Sequence, residues 1–136
     1  MKDWTRLLRS PEMVEDLYGD SPSLEGFLLS ELRWSHQDKY FELRGTLAAF
    51  PPVRRPTWEG DANRLAIRLI LEGVISHDIK GWGFDNTVTI EIEHDQEENI
   101  LYVRGHGEEL TFEVICDGLD VTEIFAYHSP DPPVLN

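Results

Sequence analysis

The sequence predicts an α+β fold: two short N-terminal helices packed on a curved, mostly antiparallel sheet of about six to eight strands. Three observations carry this. Apolar residues near the start recur at helical spacing, the chain from Leu24 onward alternates with period two, and short turns separate the alternating runs. The clearest run is residues 87–93, Thr-Val-Thr-Ile-Glu-Ile-Glu, with Val88, Ile90 and Ile92 on one face and Thr87, Thr89, Glu91 and Glu93 on the other. Such a strand belongs in the middle of an antiparallel sheet, one face on the core and an acidic face in water.

In residues 2–9, Trp4, Leu7 and Leu8 are spaced i, i+3, i+4, as in a short amphipathic helix. Ser10 suits an N-cap and Pro11 a first helical position, so a second helix follows, with Met13, Val14, Leu17 and Tyr18 as its apolar side and Gly19 as its stop. From Leu24 the period is two. Leu28, Leu32 and Trp34 share one face, residues 36–39 turn, and Phe41, Leu43 and Leu47 return, making a hairpin. Three prolines in residues 51–56 remove three backbone donors and define a loop.

Residues 63–74 form a long strand with Leu65, Ile67, Leu69 and Leu71 inward, and residues 75–79 a short one after a bend at Gly73. After the 87–93 strand come a turn at 96–99, a strand at 100–104, a turn at 105–107, a strand at 110–116 and a last strand at 119–127. Turns this short make successive strands antiparallel neighbours. The chain reads as one domain over 1–136: a helical segment 1–23, a sheet 24–127 and a frayed tail 128–136.

With 136 residues, 40% hydrophobic and including four Trp and six Phe, the chain has the material for a core, which excludes a disordered acidic protein. The single Cys116 forms no internal disulfide and no basic-then-apolar leader opens the chain, so a cytoplasmic location is expected. No apolar run approaches the roughly 20 residues of a membrane span. The net charge of −14 is concentrated in residues 57–136, which hold four Lys/Arg against 17 Asp/Glu. That field repels nucleic acid and anionic lipid and steers a basic partner.

No catalytic, cofactor or metal set emerges. His77-Asp78 and His94-Asp95 are adjacent pairs on strands, so their side chains point to opposite faces. Cys116 alternates in step with Phe112 and Val114 and reads as core. Trp4 and Trp34 are in phase with apolar neighbours, whereas Trp58 and Trp82 fall in loops, where a ring plugs a sheet end or anchors a partner. The outward row Glu91 and Glu93, with Glu113 on a nearby strand, is either solvated surface or a docking site for a basic protein.

Trp4, Tyr18-Gly19, Pro22-Ser23-Leu24, Trp58 after a proline-rich loop, Gly81-Trp82, and Phe112, Cys116, Val121, Ile124 and Tyr127 appear in an order that resembles the immunity protein 50 family of bacterial polymorphic-toxin systems. The resemblance runs from about Trp4 to Tyr127 and rests mostly on positions of core type. It implies a small cytoplasmic α+β protein, encoded beside a secreted toxin, that binds the toxin's effector domain and blocks it without catalysis. The acids expected to face such a partner are Glu91, Glu93 and Glu113 with the loop residues Asp95, Glu97, Glu98, Glu108 and Glu109. Two other classes compete. A small-molecule-binding module would need an apolar pocket near Trp58 or Trp82, and an enzyme would need carboxylates such as Asp78 and Asp120 to converge in one cleft.

Overall fold

A computed structural model describes residues 3–130. They form a 3₁₀ turn (Trp4–Leu7), one helix α1 (Glu12–Tyr18) and eight strands: β1 (Phe27–Ser35), β2 (Tyr40–Thr46), β3 (Arg64–Glu72), β4 (Ser76–Lys80), β5 (Thr87–Asp95), β6 (Ile100–Gly107), β7 (Thr111–Cys116) and β8 (Gly118–Tyr127). The strands make one sheet in the order β4-β7-β6-β5-β1-β2-β3-β8, and every neighbouring pair is antiparallel.

That sheet has to fold over on itself. In a flat sheet β7 and β8 would stand six strand spacings apart, roughly 29 Å. Yet Asp117 alone joins them, and one linking residue reaches only about 7 Å. Between β3 and β4, near opposite ends of the order, stand only Gly73, Val74 and Ile75. The two ends therefore meet: the Asp117 amide donates to Glu72 O at 3.0 Å and that of Ile75 to Ile115 O at 2.8 Å. The result is a β4-β7-β6-β5 layer facing a β1-β2-β3-β8 layer across one core. The His77 ring of β4 packs 4.9 Å from Trp34 and 5.0 Å from Phe41 of the other layer.

Period two is kept where strands are regular. Leu65, Ile67, Leu69 and Leu71 of β3, Val88, Ile90 and Ile92 of β5, and Phe112, Val114 and Cys116 of β7 are all buried. Burial pushes the Cys116 thiol up to about 12, which fits a core residue and not a nucleophile. We expect Ile92→Ala to lower stability by about 2–4 kcal/mol, read as a lower denaturant midpoint at unchanged slope; an unmoved midpoint would contradict its place in the core.

Several expectations are corrected. The first helix is only a 3₁₀ turn, because Leu8 turns extended (φ −74°, ψ 149°) and bridges to Leu119, with the Arg9 amide donating to Leu119 O at 3.0 Å. Lys2 lies outside the described residues. Ser10 makes no side-chain cap on α1; its amide instead donates to Asp120 Oδ1 at 3.1 Å. Leu28 is exposed rather than in phase with Leu32 and Trp34, because a bulge between Leu29 and Glu31 shifts the strand by one. Phe27 and Leu29 face the core before it, Leu32 and Trp34 pack against the core after it. Residues 105–107 belong to β6, and the turn follows at Glu108-Glu109. Gly105 is glycine for space: a Cβ there would run into the Phe112 ring, which lies across it from β7. Of the expected tail, the Ser129 amide donates to Asn63 Oδ1 at 2.8 Å; residues 131–136 lie outside the described residues.

The outer face of the β1-β2-β3-β8 layer carries a buried charge. Glu42, 1% exposed, accepts Arg44 Nε at 3.0 Å and Arg68 Nε at 2.6 Å. Desolvation alone would raise its pKa, but hydrogen bonds from Arg68 and Arg44 outweigh it and hold the carboxyl below its usual range. A depressed native pKa gives stability that is full above the unfolded carboxylate value and lost as pH falls through the native one. Glu42→Gln is therefore expected to cost about 1–2 kcal/mol at pH 7, with the gap to wild type closing below about pH 4.5. Unfolding curves across pH 3–7 read it, and a pH-independent gap would contradict it.

Candidate functional site

The sequence-predicted acids separate into three places. Strand register aligns Asp78, Glu113, Arg104 and Glu91 in one row across β4, β7, β6 and β5, all on the outer face. Glu93 lies one step along β5 from Glu91 on the same face. This is the group that the fold brings together. Asp95, Glu97 and Glu98 sit at the β5–β6 turn, where Asp95 Oδ1 accepts the amides of Glu97 and Glu98 at 3.1 and 3.2 Å, so Asp95 is a turn-former. Glu108 and Glu109 lie at the other end of β6, about 24 Å away along seven strand steps. Glu109 Oε2 accepts the Asp85 amide at 2.7 Å, which fastens the loop after β4.

The row is not purely anionic. Arg104 stands between Glu91 and Glu113, with Nε 2.7 Å from Glu113 Oε2 and Nη1 3.4 Å from Glu93 Oε2. The Glu113 hydrogen bond, then that of Glu93, raises the Arg104 pKa, so it stays charged. Its guanidinium also lies 5.2 Å from the centre of the Tyr102 ring. His106 Nε2 approaches Glu91 Oε1 at 3.6 Å. One arginine thus organises the carboxylates around it, and the surplus charge of the row stays negative. Asp78 completes the row and was not among the acids expected to face a partner.

Beside this face a groove of about 850 Å³ runs between residues 20–25 and β5, walled by Asp20, Glu25, Glu91 and Glu93 among others. Sequence reasoning missed it, because it arises where β1 and β5 part company. A second missed feature is Phe84, fully exposed beside the half-exposed Trp82. Their loop is held by Asn86, which accepts the Gly83 amide and donates to Gly83 O, each at 2.9 Å. The Gly-Trp-Gly-Phe run was the available signal.

The two loop tryptophans behave differently. Trp58 is half-buried against Phe50, ring centres 5.7 Å apart, whereas Trp82 points out. The 850, 410 and 280 Å³ grooves are lined by neither ring. Asp78 and Asp120 share none of these grooves: neither lines any of the three, and Asp120 Oδ1 takes the Ser10 and Val121 amides.

Among the described residues, then, the chain is a small and mostly antiparallel β scaffold whose distinctive chemistry lies on its surface rather than in a cleft. It belongs to the Immunity protein 50 family, whose sequence model matches residues 10–127. That span takes in α1 and all eight strands. No curated protein and no solved structure matches the chain.

Proposed function

We propose that the protein neutralises a cognate bacterial toxin domain in the cytoplasm by binding it directly, without catalysis, and that the toxin domain is basic. The observation that carries this reading is membership of the Immunity protein 50 family across residues 10–127. The geometry supports it. A two-layer sheet gives a rigid platform, and Glu91, Glu93 and Glu113 sit on its outer face with Arg104 fixing two of them. Acidic surfaces of this kind accelerate encounter with basic domains that handle phosphate. Asp95, Glu97 and Glu98 extend the field at one end, and Glu108 and Glu109 at the other.

The test is co-expression with the C-terminal domain of the toxin gene beside it, followed by binding of the purified pair. Wild type is expected to rescue growth. Glu91→Lys with Glu93→Lys is expected to slow association about tenfold at low salt and to flatten its salt dependence. An unchanged rate and salt slope would remove the acidic row from the interface. Failure of the wild type to bind the domain would overturn the reading itself.

A further inference from the structure

The groove beside β5 exposes an unpaired strand edge. β1 pairs with β5 only at Phe27↔Val88 and Leu28↔Thr87. One step further the Ile90 amide donates to Leu24 O at 3.1 Å, and among the described residues no strand pairs with β5 on that side beyond this point. Backbone polar groups alternate between the two edges of a strand, so Ile92 and His94, in phase with Ile90, direct their N–H and C=O into the groove. β5 is regular throughout this stretch, with no register shift against β6. On the open side the sheet therefore offers two donors and two acceptors at strand spacing, facing a cleft of about 850 Å³.

We propose that this edge receives an extended, basic segment of the toxin domain as an added strand. The inference rests on the toxin-binding reading above and names where and how that contact is made. Strand addition satisfies the free backbone groups, and the walls decide the occupant. Asp20, Glu25, Glu91 and Glu93 line the groove, and its one arginine, Arg104, is already engaged by Glu93 and Glu113. Side chains of an added strand that point to the outer face lie next to Glu91 and Glu93, so Lys or Arg at alternate positions matches them. β4, an edge strand of the sheet order, is by contrast exposed along its whole length and lines none of the three grooves.

His94 permits a direct test, because its amide faces the groove and not β6. His94→Pro deletes that N–H while leaving the β5–β6 ladder intact, and His94→Ala keeps it. With the purified toxin domain as probe, His94→Pro is expected to weaken binding roughly tenfold or more, and His94→Ala less than about twofold. In the wild-type complex, amide exchange at Ile92 and His94 is expected to slow relative to the free protein. Equal affinities for the two variants, or unchanged exchange at both amides, would overturn strand addition while leaving toxin binding standing. Should His94→Pro fail to fold, the wild-type exchange measurement decides alone. A wild-type protein that does not bind the domain overturns both.

Discussion

Phe112→Ala is expected to lower the unfolding free energy by about 3–5 kcal/mol, one of the two largest single-residue effects anticipated here. Phe112 is 2% exposed, and its ring covers Gly105 on the neighbouring strand. Truncation removes the ring's burial and leaves a void between the two layers, which close packing fills only in part. Gly105→Ala should also destabilise, because the three atoms nearest its new Cβ all belong to that ring. Combined, the two changes should cost less than their sum by about 1 kcal/mol or more, since the added methyl enters space the ring has left. Denaturant midpoints of the four proteins measure this. Strict additivity would show that the ring does not pack on the glycine.

Trp4→Ala is expected to cost a similar amount, about 3–5 kcal/mol, through a different connection. Trp4 is 1% exposed, and its indole Nε1–H donates to Pro22 O at 2.8 Å. It thereby ties the 3₁₀ turn to the segment that leads into β1. Thr5, fully buried beside it, donates to Glu15 Oε2 of α1 at 2.8 Å. Losing the indole should release the turn and α1 together, so amide exchange in Glu12–Tyr18 should quicken more than the global midpoint alone accounts for. Trp4→Phe, which keeps a ring and loses the hydrogen bond, should fall between. A midpoint unmoved by Trp4→Ala would mean that the turn adds nothing to the fold.

The sequence disclosed what depends on local periodicity. β3, β5 and β7 alternate without interruption, so their inward residues could be read directly. β1 could not, because its bulge exchanges the two faces partway along and no residue type there announces it. The folding-over of the sheet was equally hidden: it follows from which strands pair, and β3 with β8 is a pairing between distant segments. In the candidate site, the acids were legible as charge but not as an arrangement. Arg104 was within reach, since the turn at 96–99 pairs Asp95 with Ile100 and counting back sets Arg104 against Glu91. The groove was beyond it, because an open strand edge is defined by a neighbour that departs.

The pairing of β3 with β8 also governs when this protein comes into existence. Glu72 meets Gly118 and Arg64 meets Tyr127, so the outer edge of β3 stays open until residues 118–127 have been made. Contacts between segments so far apart close late and slowly, after much loop entropy has been lost. Until then the apolar residues of β3 lack one of their two flanking strands, and a nascent chain cannot settle its first half ahead of its second. The scaffold closes as a unit, once β8 has been made.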